Sequence, residues 1–448
     1  MKGVTYAGPA VPGTFRTMTR SARQAAVIGG NRIPFARANG AYAQATNLDM
    51  LTATLDGLAA RFGLAGERIG EVAGGAVLKH SRDRDLTRES VLGSRLSPAT
   101  PAYDVQQACG TGLETAVLVA NKIALGQIES GIAAGVDTAS DAPVALNDDL
   151  RRVLMRLNGA RSLGERLRAI AGIRPGQVVP EIPRNAEPRT GLSMGEHAAL
   201  TALEWHVGRE AQDELAAASH RNLAAAYERG FFDDLVTPFL GLTRDQNLRA
   251  DSTAEKLARL KPVFGGPDGT MTAGNSTPLT DGASAVLLGS DEWAAEHRLP
   301  VLAHVVDAET AAVDFVHGGD GLLTAPVHAV PRLLERNGLT LQDFDFYEIH
   351  EAFASTVLAT LAAWEDPAFA KERLGLDAPL GAIDRSRLNV AGSSLATGHP
   401  FAATGGRIVA TLAKLLHEKG RDTGNRGRGL ISLCAAGGQG VVAILEAA

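Results

Sequence analysis

Two cysteines and two histidines of this 448-residue chain lie in segments, mostly rich in glycine, that could allow them to act as nucleophiles or acid/base groups. Cys109 is followed by Gly110-Thr111-Gly112, where a predicted strand gives way to a helix. Unpaired N–H groups and the helix dipole favour a thiolate there, which predicts a lowered thiol pKa. The glycines leave room for a substrate. A lone cysteine beside glycine is more often a small buried residue, so this segment alone does not establish a nucleophile.

The other three residues are equally ambiguous when each is taken alone. His399 lies in a predicted loop between a glycine and a proline, where histidine commonly serves only as a hydrogen-bonding residue. His350 precedes a glutamate, as in a zinc motif, but Ala354 occupies the position of the second histidine, so no metal site is expected. Cys434 opens a glycine-rich segment and is also compatible with a core residue at a strand end. Only the combination points to an enzyme.

The strands and helices around these residues must position them. Their patterns alternate along the chain, which predicts a mixed α/β protein. Each half of the chain carries one cysteine in a glycine-rich turn, which suggests an internal duplication. The predicted strands begin at residue 25 and cover 72–77, 130–136, 283–289, 429–433 and 440–445. The predicted helices cover 48–62, 113–125, 212–227, 253–260 and 404–416, and a second α/β unit begins near residue 301.

Composition narrows the class of protein. The chain is 45% hydrophobic and 21% charged, with a net charge of −6, so nothing predicts nucleic-acid binding. Two cysteines fit a reducing compartment rather than a disulfide framework. The first residues lack a secretory pattern, and no apolar run reaches spanning length. We therefore expect a cytoplasmic protein with a loose N-terminal extension over residues 1–22.

Several motifs, in order from residue 25 to the C-terminus, resemble those of the thiolase family. The segment 398–407 is similar to the family's Gly-His-Pro-x-Gly-x-Thr-Gly-x-Arg signature, with Ala402 in place of a glycine. Residues 434–440 are similar to its Cys-x-Gly-Gly-Gly-x-Gly motif, with Ala436 at the first of those glycines. Segments 212–214, 255–264, 271–275 and 281–283 also match. The family's usual Asn-Glu-Ala-Phe begins with His350 here, a form that resembles the thiolase subunits of fatty-acid oxidation complexes.

The resemblance implies a thiolase-like α/β fold, in which two similar mixed-sheet halves form αβαβα layers and carry an inserted loop domain. The implied N-terminal half comprises residues 23–143 plus 262–298, the covering loop domain 144–261 and the C-terminal half 299–448. It also implies a homodimer or homotetramer, with a possible partner from a β-oxidation complex. Membrane contact is not favoured.

The resemblance further implies a role for each motif residue. Cys109 corresponds to the nucleophile, His399 to the base that accepts its proton, and Cys434 to a second acid/base. His350 would hold a water or donate directly to one oxyanion, and the backbone N–H groups of Cys109 and Ala436 would bind the other. Coenzyme A (CoA) is the implied substrate, with no bound cofactor or metal. Its contacts, carried over by position, are Arg249, Thr277 and Met194.

Three alternatives stay open beside a thiolase that cleaves 3-ketoacyl-CoA in fatty-acid β-oxidation. A biosynthetic thiolase would condense two acetyl-CoA molecules. A ketoacyl synthase shares the fold but would lack an acid/base cysteine at the position of Cys434. An inactive lipid-binding or scaffold subunit would be expected to lose Cys109, His399 or Cys434, yet all three are present. A complete nucleophile and acid/base set favours catalysis.

An arginine-rich insert, defined here as residues 144–190, interrupts the regular pattern. It contains nine arginines and no lysine, and prolines follow its two short apolar stretches. One reading is a solvated face whose arginines pair with nearby carboxylates. The other is a helical cover whose apolar side faces the acyl pocket, a partner subunit or a membrane surface; that side consists of Leu154, Leu157, Leu163 and Leu167. From the position of the insert in the family, we favour a cover over the active site.

Overall fold

A computed structural model describes residues 23–448, so the expected N-terminal extension lies outside the described residues. The strands are β1 Ala25–Arg32, β2 Ala36–Arg37, β3 Glu71–Gly74, β4 Ala102–Asp104, β5 Ser130–Asp137, β6 Pro262–Phe264, β7 Met271–Thr272, β8 Thr280–Gly289, β9 Ala303–Ala312, β10 Phe346–Ile349, β11 Arg428–Ala435 and β12 Gln439–Ala447. The helices are α1 Asn47–Phe62, α2 Leu86–Gly93, α3 Thr111–Ala124, α4 Asp148–Gly159, α5 Leu163–Ala171, α6 Met194–Glu204, α7 Arg209–Glu228, α8 Ala254–Leu257, α9 Asp291–Glu296, α10 Ala325–Asn337, α11 Ala354–Glu365, α12 Pro367–Glu372, α13 Ser394–Thr397 and α14 Ala403–Thr423.

One large sheet, formed within residues 23–448, joins the two halves of the chain. Its strand order is β4-β3-β5-β8-β1-β9-β12-β11-β10, and β2 pairs with β8. The join is narrow, since β1 pairs with β9 only through Ala25, Ala26 and Val27. The first five strands of that order belong to the N-terminal half and the last four to the C-terminal half. Both halves mix parallel and antiparallel pairs.

Helices cover both faces of each half, which gives the predicted layered α/β fold. The central core contains α3 and α14 between the two parts of the sheet, while α1 and α2 cover one outer face and α10 and α11 the other. Residues of a strand point alternately to opposite faces. In β5, for example, Ala133 belongs to the central core, whereas Ile132 and Ala134 belong to the outer core around α1.

The sequence of α1 accounts for the helix and for its burial. Thr46 and Asp49 form a capping box at its start, and Gly63 ends it with a φ of 68°, in the left-handed region that glycine tolerates. Between these ends, apolar residues at helical spacing form one buried face, namely Met50, Leu51, Leu55 and Leu58. The helix is thus fixed at both ends and packed along one side.

Glycines let the starts of the two central helices approach one another closely. A Cβ on Gly112 of α3 would lie 2.4 Å from the carbonyl oxygen of Ala402. A Cβ on Gly405 of α14 would lie 2.1 Å from the backbone nitrogen of Leu113. Any side chain at either position would push the helices apart. Since Cys109 precedes α3 and His399 precedes α14, this approach brings the two residues together.

Helices α4 to α8 occupy residues 144–261, the segment expected to form a covering loop domain. The short hairpin of β6 and β7 lies outside the large sheet, and β6 packs against α6. The strand that returns to the N-terminal half is β8, which begins at Thr280. The domain boundary expected at residue 262 stays a prediction. No helix within residues 23–448 has the length and apolarity needed to cross a membrane.

Candidate active site

Cys109 lies in a tight turn immediately before α3. Ala108 has a φ of 46°, an uncommon conformation for a residue other than glycine. Thr111 fixes this turn, because its hydroxyl donates to the carbonyl of Ala108 at 2.7 Å and accepts from the backbone N–H of Gln107 at 2.9 Å. The turn leaves Cys109 half-buried, with its thiol facing the start of α14.

His399 contacts the thiol directly. Its Nε2 lies 3.1 Å from Sγ of Cys109, and its Nδ1 lies 2.7 Å from the Thr404 hydroxyl. A proton on Nδ1, donated to Thr404, leaves Nε2 free to accept the thiol proton. Asp137 fixes the loop from the other side, since its carboxylate accepts from the backbone N–H of Ala402 at 2.9 Å. A thiol and a correctly oriented base therefore lie within hydrogen-bonding distance.

His350 follows β10 and lies beside His399, with their ring centroids 4.2 Å apart. Its Nδ1 is 2.9 Å from the Ser394 hydroxyl, which accepts from the Arg407 guanidinium at 3.0 Å. Its Nε2 is buried and has no hydrogen-bond partner among the described residues. Since Ser394 already accepts from Arg407, its own proton can be donated to Nδ1, which leaves Nε2 as a free donor.

The carboxylate of Glu351 anchors the segment that carries His350. It accepts hydrogen bonds from the Ser219 hydroxyl at 2.7 Å, the Asn389 amide at 2.8 Å and the Leu395 backbone at 3.1 Å. Three donors offset much of the loss of hydration of a carboxylate that is 1% exposed. The glutamate of this motif therefore holds the loop rather than facing the cavity.

Cys434 lies one residue before the end of β11 and pairs with Gly440 of β12. The connection between these strands contains Ala436, followed by Gly437 and Gly438, which have φ values of 81° and 70°. Both glycines adopt the left-handed region that disfavours other residues. The backbone N–H of Ala436 hydrogen-bonds toward the sulfur of Cys109. The connection thus brings a second cysteine and a backbone donor to the first thiol.

One cavity adjoins these groups. It is lined by Cys109, Asn185, Met194, Thr277, Pro278, Leu279, Leu323, Ala352, Phe353, His399, Phe401, Cys434 and Ala436. Two of the three residues expected to contact CoA, Met194 and Thr277, belong to this lining. The third, Arg249, is exposed and lies outside it. A small adjoining cleft is lined by His350 and Cys434, so all four predicted catalytic residues meet in one region.

Burial shifts the pKa values of Cys109 and His399 in opposite directions. It raises the pKa of the Cys109 thiol to about 12, although the backbone N–H groups of Ala436 and Cys109 oppose the shift. Burial, together with the positive charge of Arg407, lowers the pKa of His399 to about 3. The prediction of a lowered thiol pKa is therefore wrong for the resting site, because loss of hydration outweighs the helix start. The resting pair is a neutral thiol beside a neutral imidazole.

A larger cleft of about 560 Å³ lies between α6 and the loop that joins β6 to β7. Leu200 and Leu203 contribute its apolar wall, and Glu196 and Asp268 contribute carboxylates. It contains none of the four predicted catalytic residues. Because those carboxylates would repel phosphate groups, this cleft does not suit the nucleotide end of CoA. Within the described chain, no cluster of three or more His, Cys, Asp or Glu side chains is arranged to hold a metal ion.

The arginine-rich insert does not cover the cavity with its leucines. Leu154, Leu163 and Leu167 are 39%, 73% and 59% exposed, Leu157 is half-buried, and none of these four lines the cavity. The prediction that they face the acyl pocket is wrong, because α5 buries no residue and α4 buries only one. Arg151 and Arg152 pair with Asp148, as the solvated-face reading predicts. Only the end of the insert reaches the cavity, through Asn185.

Several residues that complete the site were missed by the sequence reasoning. Thr404 lies within the signature that contains His399, so its position in that motif was an available signal. Asp137 follows a predicted strand, the common location of a site carboxylate. Ser394 and Glu187 had no signal, since their contacts with His350 and with Gly437 join segments distant in sequence.

Comparison with known proteins identifies the family of this chain. Residues 25–292 match the family model described as the thiolase N-terminal domain, and residues 299–447 match that of the thiolase C-terminal domain. A 3-ketoacyl-CoA thiolase of Pectobacterium atrosepticum is 38% identical over 435 residues, which cover 96% of this chain and 98% of the relative. A 3-ketoacyl-CoA thiolase of Yersinia enterocolitica is 37% identical with the same coverage.

Solved structures give the same assignment. The acetyl-CoA acetyltransferase of Bacillus anthracis has a TM-score of 0.77 at 30% identity, covering 95% of this chain and 99% of that one. Human mitochondrial 3-ketoacyl-CoA thiolase in complex with CoA has a TM-score of 0.77 at 27% identity, covering 95% and 98%. Both matched domains, the nearly full-length relatives and the shared fold lead to one conclusion: this chain belongs to the thiolase family of acyltransferases.

Proposed function

We propose that this protein cleaves 3-ketoacyl-CoA with CoA, releasing acetyl-CoA and an acyl-CoA shortened by two carbons. The observation that carries the proposal is the convergence of Cys109, His399 and Cys434 on one cavity, with 3.1 Å between Sγ of Cys109 and Nε2 of His399. The names of the relatives support the same substrate class. Three other described cavities, which lie away from this region, contain no cysteine.

In the first half-reaction, His399 takes the proton of Cys109, and the thiolate attacks the ketone carbon of the substrate. The carbon–sulfur bond forms and the ketone oxygen becomes an oxyanion, which the backbone N–H groups of Cys109 and Ala436 stabilise. Collapse breaks the carbon–carbon bond and leaves an acyl thioester on Cys109. Support for this oxyanion site comes from the hydrogen bonds that both N–H groups direct toward the Cys109 sulfur.

The departing acetyl-CoA leaves as an enolate, which Cys434 protonates. His350 stabilises the enolate oxygen by donating from Nε2, the buried nitrogen without a protein partner. The chain Arg407, Ser394 and His350 keeps the proton on this nitrogen, because each hydroxyl or guanidinium donates toward the ring. Burial lowers the pKa of His350 well below its usual value, so the ring is a neutral donor.

The second half-reaction restores the enzyme. The Cys434 thiolate formed in the first half takes the proton of the incoming CoA thiol, and the CoA sulfur attacks the acyl thioester. The tetrahedral intermediate collapses with Cys109 as the leaving group, and His399 returns the proton to it. Each acid/base group thus gives and takes one proton per cycle, and no external proton source is required.

The direct test is thiolysis with 3-ketoacyl-CoA substrates of short, medium and long chain. The proposal expects CoA-dependent loss of the 3-ketoacyl-CoA with one acetyl-CoA formed per turnover. The second candidate is condensation of two acetyl-CoA molecules, favoured by the likeness to the acetyl-CoA acetyltransferase of Bacillus anthracis. Activity confined to acetoacetyl-CoA would support that candidate, and no turnover with any chain length would reject both.

Replacing His350 tests its role as an oxyanion donor. His350→Ala is expected to lower kcat for thiolysis by about a hundredfold or more, because one donor to the enolate oxygen is lost. The KM for CoA should change little. His350→Asn is the matched control, since the family's usual residue also offers an N–H donor and should retain more activity. Near-normal turnover in His350→Ala would assign the residue to loop packing instead.

We propose further that the enzyme is a cytoplasmic homo-oligomer, a dimer or a tetramer, that serves fatty-acid β-oxidation with a possible complex partner. The terminal strand β4 supports association through the sheet, because it is only half-buried at an edge. A hydrodynamic mass of at least two 46.7 kDa chains is expected at micromolar concentration. A mass of one chain would contradict the oligomer.

A further inference from the structure

The end of the arginine-rich insert reaches the catalytic turn through Glu187. This residue is 8% exposed, and its carboxylate accepts a hydrogen bond from the backbone N–H of Gly437 at 2.7 Å. Its own backbone is fixed twice, because its N–H donates to the carbonyl of Leu192 and its carbonyl accepts from Gly191. Glu187 therefore links the end of the insert to the connection between β11 and β12.

The turn that Glu187 contacts connects β11 to β12 and includes two glycines. Ala436, Gly437 and Gly438 connect the last paired positions of β11 and β12, where Ala435 lies opposite Gln439. Two successive glycines give this connection more backbone freedom than other residues would allow. Two contacts restrict it: Gly438 accepts from the backbone N–H of Val313 at 2.8 Å, and Gly437 donates to Glu187.

The peptide groups on both sides of Ala436 thus have separate tasks. The N–H of Ala436 points toward the sulfur of Cys109, and the next N–H, that of Gly437, donates to Glu187. Rotation of the backbone at Ala436 or Gly437 would disturb both contacts together. A donor that is to stabilise an oxyanion must be fixed before the charge develops.

We propose that Glu187 is a positioning residue for catalysis, which holds the turn so that the Ala436 N–H stays directed at the acyl carbonyl on Cys109. This inference rests on the proposed function for its catalytic consequence. Glu187 touches neither the substrate nor the thiol in this account. It acts through its hydrogen bond to Gly437. The activity therefore depends on the position of the end of the insert, which carries Glu187.

The negative charge of Glu187 is not the useful property. A carboxylate near the site disfavours both a thiolate and an oxyanion, since like charges repel. Removing the charge alone should therefore do no harm. Glutamine keeps an oxygen that can accept from Gly437 and removes the charge, whereas alanine removes both. The comparison of Glu187→Gln with Glu187→Ala consequently isolates the hydrogen bond.

The experiment measures two rates in each variant of the full-length protein. The first is kcat and KM for thiolysis of 3-ketoacyl-CoA. The second is the alkylation of Cys109 by iodoacetamide across a range of pH, with the labelled cysteine identified by peptide mass spectrometry. Alkylation uses the thiolate but forms no carbonyl oxyanion. Glu204→Ala, an exposed glutamate at the end of α6, is the matched control for loss of one negative charge.

Glu187→Ala is expected to lower kcat about tenfold with KM for CoA nearly unchanged, as for the loss of one well-placed hydrogen bond. Its alkylation profile should lie about one pH unit higher than that of Glu187→Gln, because the Ala436 N–H then supports the thiolate less well. Glu187→Gln and Glu204→Ala should both keep kcat within about threefold of the wild type.

Two outcomes would overturn the proposal. One is equal kcat and coincident alkylation profiles in Glu187→Ala and Glu187→Gln. The other is a fall in kcat that a smaller folded fraction explains, seen as a lower unfolding midpoint with an unshifted alkylation profile. Failure of the proposed function is distinguishable. If the wild type has no thiolase activity but Glu187 holds the turn, the alkylation profile of Glu187→Ala should still be shifted from that of Glu187→Gln.

Discussion

Cys109→Ser is expected to lower thiolysis by roughly a thousandfold or more, the scale of losing a catalytic nucleophile. Serine keeps the size of the side chain but gives up its proton far less readily than cysteine does. The effect should be large here because burial already raises the pKa of the Cys109 thiol to about 12. A poorer acid in the same surroundings would leave His399 unable to generate the nucleophile. Steady-state thiolysis with 3-ketoacyl-CoA is the measurement.

The chain offers its own control for this substitution. Cys434 remains as the single cysteine of Cys109→Ser, so acyl transfer to the second thiol becomes directly visible. An unfolding midpoint close to that of the wild type would show that the fold is retained. Activity that persists in this variant, with the acyl group found on Cys434, would exchange the roles assigned to the two cysteines.

His399→Gln is expected to lower kcat by about a hundred- to ten-thousandfold, the range for removing a general base. Glutamine can still hydrogen-bond Thr404 but cannot take the proton from Cys109. Burial and Arg407 lower the pKa of His399 to about 3, so the wild-type imidazole is a proton acceptor throughout the neutral range. Wild-type kcat should accordingly show no loss from imidazole protonation as the pH falls from about 8 to about 5.

His317→Ala, an exposed histidine after β9, is the matched control for this substitution and should leave kcat unchanged. Alkylation of Cys109 by iodoacetamide gives an independent readout, because it requires the same deprotonation. It should slow in His399→Gln and not in His317→Ala. Normal turnover with slowed alkylation would mean that another group accepts the proton during catalysis.

The proposed catalytic set could be predicted from sequence because each member lies within a distinctive motif. Cys109 and His350 follow β4 and β10, Cys434 lies near the end of β11, and His399 lies between α13 and α14. The helices and strands themselves were predictable where periodicity was strong, as in α1, α3 and β8. The ends of elements were predicted less well, since α8 covers only four residues of the predicted 253–260 and α14 extends to Thr423, beyond the predicted end at 416.

What could not be predicted depends on contacts between distant segments. The direction in which the Cys109 pKa shifts follows from the burial of the thiol, which local sequence does not reveal. The carboxylate of Glu187 meets Gly437 across 250 positions of sequence. The leucines of the insert have the spacing of a buried face, yet their helices pack against little and remain exposed. Amphipathic spacing identifies a side of a helix and not what covers it.

Intact-protein mass spectrometry, after the wild type is mixed with 3-ketoacyl-CoA in the absence of free CoA, shows directly whether Cys109 becomes acylated. The proposed mechanism predicts one acyl group per chain, shortened by two carbons and located on Cys109 by peptide analysis, with an equal amount of acetyl-CoA released. Adding CoA should remove this acyl group as the shortened acyl-CoA. An unmodified protein, or an acyl group carried only by Cys434 in the wild type, would contradict the proposed mechanism.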